Sequence, residues 1–136
     1  MKRTVLVGLA LAVAVPATAS AVSLSTFVGE WGGHTRGLTI SHKGRGVETI
    51  GDGCCDEIID LTFRVSRPRA GAHGALATIT VTSVKVHDKS AFTKAHPAPH
   101  VGSVGTLRLA HHVLHESLTR TIYCDETSGM RGTCGA

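Results

Sequence analysis

The sequence predicts an all-β protein: a small antiparallel meander that closes into a full or partly open barrel and is stapled by two disulfides. Three observations predict it. Apolar and polar residues alternate at a period of two in several short segments, as strands with one buried face require. Turn residues separate those segments at even spacing, with little helical periodicity between them. Four cysteines, an even number, sit in a chain that opens with an export signal.

Residues 1–21 form the first element. Met1-Lys2-Arg3 is a short basic start, Thr4 to Val15 is an uncharged apolar run, Pro16 ends it, and Ala19-Ser20-Ala21 supplies the small-x-small pattern of a cleavage site. The run is shorter than the roughly 20 residues a membrane helix needs, so a cleaved secretory signal is expected, with cutting after Ala21, or alternatively after Ala19, and no membrane span in the mature chain. Residues 22–136 then make one secreted β domain, large enough for a modest core.

The strands follow in order. Gly29 to Ile40 reads as a first strand ending in Leu38 and Ile40, and Lys43-Gly44-Arg45-Gly46 turns the chain into a second, Val47 to Ile50. Ile59, Leu61, Phe63 and Val65 alternate with Asp60, Thr62, Arg64 and Ser66. Arg67 to Gly74 is turn-rich and expected to be mobile. Ala77, Ile79 and Val81 alternate with threonines, but Val84 and Val86 fall on the opposite phase, which a bulge near Thr82-Ser83 explains. Asp88 to Ala95 can form one short helix capped by Asp88 or Ser90 and stopped by Pro97 and Pro99. Val104 to Leu109, a turn at His111-His112 and Val113 to Leu118 read as a hairpin, although Leu107, His111, Leu114 and Leu118 also share a helical face; Thr121 to Cys124 is the last strand.

Two resemblances add to this reading. Phe27-Val-Gly-Glu-Trp31, with Gly29 and Trp31 as a G-x-W pair, resembles the opening strand of lipocalins and avidin-like barrels, where the tryptophan packs across the closed end. The chain has no T-D-Y turn and no second tryptophan, so the resemblance implies a small calycin-like barrel and not that group's ligands. Phe27 to Ile40, Gly51 to Asp56, His87 to Pro99 and Gly132 to Ala136 resemble small uncharacterised secreted proteins of actinobacteria. That resemblance implies export and disulfides.

Cys54, Cys55, Cys124 and Cys134 allow three pairings. Bridging adjacent cysteines distorts the peptide between them, so that pairing is set aside. Both others tie the Gly51-to-Cys55 turn to the C-terminal tail, in either order, and each bridge then closes a long loop worth up to about 4 kcal/mol. Neither the C-x2-C spacing of zinc sites nor a redox C-x-x-C is present, and no cofactor is expected.

Charge limits the partners. Without Lys2 and Arg3 the balance is 12 basic to 10 acidic residues, or +2. Arg64, Arg67 and Arg69 cluster without an aromatic platform, so nucleic acid is not an expected partner. The chain is rich in histidine, with nine. His111 and His115, with His112 and Glu116 beside them, suit a metal only on a helix; on a hairpin His111 and His115 stand about 13 Å apart. His96 and His100 flank an extended Pro-Ala-Pro segment suited to adventitious binding. His87, Asp88 and Ser90 are too close in sequence for a hydrolytic triad, and no G-x-S-x-G elbow exists. Asp52, Asp56, Glu57 and Asp60 do not match a calcium loop and read as solvated acids. In a barrel, His34 and Arg36 share the inward face of Leu38 and Ile40, with Asp60 or Glu48 as the carboxylate; together with Trp31 they form the expected ligand site. The expected role is a non-catalytic module that binds a small ligand or a cell-envelope component. The alternatives are a small secreted hydrolase using His34 or His87 as base, and an extracytoplasmic metal binder using its histidines.

Overall fold

Strand pairing follows chain order around a closed ring. The computed structural model describes residues 21–125 and Cys134; residues 1–20, all but the last of the expected signal segment 1–21, and the rest of the C-terminal tail lie outside the described residues. The strands are β1 (Gly29–Gly33), β2 (Arg36–Ile40), β3 (Arg45–Gly51), β4 (Glu57–Gly71), β5 (Gly74–Val86), β6 (Val104–Ala110), β7 (Val113–Glu116) and β8 (Thr121–Cys124). Each pairs antiparallel with its neighbour, and β8 closes on β1 through Gly32 opposite Cys124. This is the all-β meander in its fully closed form.

Alternation puts one residue in two inside. Ile59, Leu61, Phe63 and Val65 of β4 and Ala77, Ile79 and Val81 of β5 are buried, and they meet Leu38, Ile40, Leu107, Leu114 and Tyr123 in one cluster. Eight strands enclose a space that side chains just fill, and here large ones fill it. Phe27 enters from a 3-10 turn at Leu24–Thr26, and Trp31 donates its indole N–H to the Phe27 carbonyl at 3.0 Å. Gly46 has a packing reason: a Cβ there would stand 2.1 Å from the Phe63 ring, which lies over the β3 backbone.

The bulge expected near Thr82-Ser83 is present. Phe63 pairs with Val81 but Thr62 with Ser83, so Thr82 is the extra residue. A second lies in β4: Ile50 pairs with Ile59 but Gly51 with Glu57, leaving Ile58 extra. A third, at Arg67 and Pro68, lets β4 continue past proline, which has no N–H to give the ladder. Residues 67–74 are therefore mainly strand, closing in a tight turn at residues 72–73, and not the turn-rich segment expected.

Three other expectations change. The first strand is two: Gly33 pairs with Arg36, Thr35 takes φ 59°, and His34 lies in the turn between. The short helix shrinks to a 3-10 turn at Lys89–Ala91, capped by Asp88 through the Ser90 N–H at 2.8 Å; Phe92 is already extended and ends it. The cysteines pair as Cys54–Cys55 and Cys124–Cys134, the combination set aside above. The reason is location. Cys124 ends β8 in the protein interior, where its Cα lies 5.8 Å from that of the buried Cys134, within bridging range. Cys54 and Cys55 stand exposed in the β3–β4 connection, where Asp52 holds the backbone N–H groups of Cys54, Cys55 and Asp56. The predicted hairpin of β6 and β7 forms, with His111 and His112 both at positive φ in its two-residue turn. No helix among the described residues is long and apolar enough to cross a membrane.

Candidate functional sites at the loop end

Because the strands alternate in direction, the β1–β2, β3–β4, β5–β6 and β7–β8 connections gather at one end of the barrel. The β5–β6 connection is the longest of these, running from residue 87 to 103. It folds over the β7–β8 turn, where Arg120 donates to Nε2 of His96 at 3.0 Å. Between them lies a cavity of about 390 Å³. Phe92, Pro97, Pro99 and Leu118 give it apolar walls, His96, His100 and Arg120 supply basic groups, and none of its lining residues is acidic. Arg120 makes no ion pair among the described residues.

Beneath that turn is a buried acid pair. Glu48 of β3 and Glu116 of β7 are 0% and 1% exposed inside the barrel. Glu116 is well satisfied: its carboxylate accepts the backbone N–H of Leu118 at 2.5 Å and of Thr119 at 2.8 Å, together with the Thr119 hydroxyl. It thereby fixes the turn that walls the cavity. Glu48 Oε1 accepts the Tyr123 hydroxyl at 2.5 Å and lies 3.3 Å from the Thr119 hydroxyl oxygen, while Oε2 has no hydrogen-bond partner among the described residues. Burial, reinforced by the nearby Glu116 charge, pushes the Glu48 carboxyl up to about 8 against the hydrogen bonds of Tyr123 and Thr119. The carboxyl is therefore largely neutral at pH 7, and the barrel interior is spared a second full negative charge beside Glu116. The same burial pushes the Tyr123 hydroxyl up.

A third cluster stands on the outer wall. Asp60 of β4 accepts the Thr49 hydroxyl on Oδ1 at 2.9 Å and faces Nε2 of His87 with Oδ2 at 2.7 Å; Glu57 Oε2 lies 3.3 Å from the same nitrogen. The hydrogen bond with His87 is the main reason the Asp60 carboxyl sits below its ordinary range.

The expected ligand residues are thus separated. Trp31 is inside, near the opposite end, where it borders a second hollow with His111 and His112. His34 is exposed in the β1–β2 turn and does not point inward. Arg36 spends its donors on the Ile122, His34 and Cys134 carbonyls. Asp60 is outward with His87, because the alternation that buries Ile59 and Leu61 turns it away; of the two carboxylates considered, Glu48 is the inward one. His111 occupies a turn and His115 a β7 position opposite Arg108. Burial, then the Arg108 charge, holds the His115 imidazole below its ordinary range. Sequence reasoning missed the Glu48–Tyr123 contact, which joins residues 75 positions apart. The available signal was phase: Leu114 and Glu116 share one strand face. Comparison with known proteins gives no matching family model, no matching curated protein and no matching solved structure.

Proposed function

We propose that the protein is an exported, non-catalytic binding module whose loop end takes a small anionic ligand or an anionic group of the cell envelope. The observation that carries this reading is the cavity of about 390 Å³ between the β5–β6 connection and the β7–β8 turn, with apolar walls, one arginine, two histidines and no acid. Such a site suits a ligand with an apolar body and one carboxylate or phosphate, the polar group fixing its orientation. The signal-like segment 1–21 and the paired cysteines support export. A filled barrel supports binding at its end over binding in its interior. The hydrolase alternative has a histidine beside a carboxylate in His87 and Asp60, but no hydroxyl or thiol nucleophile at hydrogen-bond distance from His87 among the described residues: Ser90 donates to Asp88, and the cysteines are bridged.

Isothermal titration of the mature protein with alkyl carboxylates, alkyl phosphates and their neutral alcohols tests this. Saturable binding of the acids, none of the alcohols, and loss in Arg120→Asn are expected. Asparagine tolerates the φ of 58° at that position, so the turn is kept. Equal binding by Arg120→Asn, or no preference for acids, refutes the reading.

A further inference from the structure

We propose that Glu57, Asp60 and His87 form a site for one divalent metal ion of the zinc class, on the outer wall of the barrel and apart from the loop-end cavity. One ligand atom from each residue lies within 4.8 Å of the other two. Ligands bound to one tetrahedral ion at bond lengths near 2.0–2.2 Å stand about 3.3–3.6 Å apart. His87 Nε2 and Glu57 Oε2 are already 3.3 Å apart, and His87 Nε2 and Asp60 Oδ2 are 2.7 Å apart, so admitting an ion requires only small side-chain movements. An imidazole with two carboxylates and no thiolate fits a borderline divalent ion such as zinc, with water completing the coordination.

Two features of the fold assemble this set. Glu57 and His87 are odd-numbered, like the buried Ile59 and Val81, and unbroken alternation would turn both inward. The extra residue Ile58 in β4 and the extra residue Thr82 in β5 each invert the phase, so that both side chains reach the outer face that Asp60 already occupies. Bulges in neighbouring strands, independent in position, thus converge on one cluster. The supports are also in place. Thr49 holds Oδ1 of Asp60 and leaves Oδ2 for the ion, and Ile58 receives the backbone N–H groups of both His87 and Asp88. The adjoining hollow adds Asp52, Asp56 and Asp88 and no basic side chain other than His87. Lys85 stands opposite Asp60 across the strands, and its charge ranks last among the influences there, behind those of His87 and Thr49.

The test is titration of the metal-stripped mature protein with zinc chloride, with each variant's fold checked by circular dichroism. One ion per chain is expected. His87→Gln and Asp60→Asn should each lose binding by more than ten-fold and Thr49→Val by about ten-fold, while a His111→Ala, His115→Ala double variant keeps wild-type affinity. Unchanged affinity in folded His87→Gln and Asp60→Asn, or absence of saturable one-to-one binding in the wild type, overturns the proposal. A second measurement needs no variant: substoichiometric manganese should first broaden the amide signals of residues 57–60 and 85–88. Broadening centred on His111 and His112, or uniform broadening, refutes the site.

Discussion

Glu48→Gln should change the pH dependence of stability more than the stability itself. The carboxyl titrates near 4.5 in the unfolded chain and near 8 in the barrel, because the interior disfavours its charge and Glu116 adds repulsion. The sign follows from the raised pKa. Below pH 4.5 the group is neutral in both states and costs the fold nothing through ionisation. Between 4.5 and 8 the unfolded chain releases the proton while the folded chain keeps it, so stability falls as pH rises; above 8 both states are ionised and the loss levels off. A separation of 3.5 pH units corresponds to about 5 kcal/mol. Glutamine has no such titration, so the stability of the variant relative to wild type should climb by up to about 5 kcal/mol between pH 4.5 and 8 and stay flat on either side. Whatever the amide costs in packing or hydrogen bonding adds a constant offset and leaves the slope untouched. Guanidinium unfolding at pH 4, 6, 8 and 9, followed by the fluorescence of Trp31, the single and 8% exposed tryptophan, reads this directly. A difference between the two proteins that is independent of pH would show that Glu48 ionises freely and would refute the reasoning.

Further outcomes follow from the same contacts. Tyr123→Phe removes the stronger donor to Glu48, should cost about 1–3 kcal/mol, and should move the alkaline loss of stability to higher pH, since that hydrogen bond favours the ionised carboxylate; an unmoved transition would contradict it. Non-reducing tryptic mapping should give the peptide holding Cys54 and Cys55 alone and two hydrogens light, and the Cys124 peptide joined to that of Cys134; any link between the two pairs overturns the observed pairing. Replacing Cys124 and Cys134 by alanine opens a closed loop of about ten residues and should cost about 3 kcal/mol, whereas replacing Cys54 and Cys55 by serine opens essentially no loop and should cost far less in urea unfolding. Gly46→Ala should cost about 1–3 kcal/mol through collision with Phe63, and a Phe63→Leu background should relieve part of that cost; strict additivity would mean the ring does not make the contact.

What the sequence showed and what it hid have a common cause. Period two is a local property, and wherever it persists, as from Ile59 to Val65, the inward face was legible residue by residue. A break in period is legible only when apolar residues flank both sides of it. Val81 and Val84 mark the Thr82 bulge, and it was found; Glu57 and Ile58 lie at the start of β4 with no apolar phase before them, and that bulge was not. Missing it made Glu57 one solvated acid among four and left His87 without its two carboxylates. The Gly33-to-Arg36 turn was hidden in the same way, because glycines at 32 and 33 carry no phase, and this moved His34 from an expected inward position into a solvent-facing turn. The disulfides failed for a different reason. Pairing depends on which cysteines share one end and one depth of the barrel, and that is set by β8 burying Cys124 while the Asp52 turn leaves Cys54 and Cys55 outside. Both candidate sites therefore lie where regular alternation is broken: the outer cluster at two bulges, the cavity between a connection that has left the sheet and a turn held by Glu116. A rigid, filled barrel can keep its core in register through such breaks, because neighbouring ladders hold the strands while the extra residue re-aims its neighbours. The same breaks are where the chemistry-bearing side chains become free to meet.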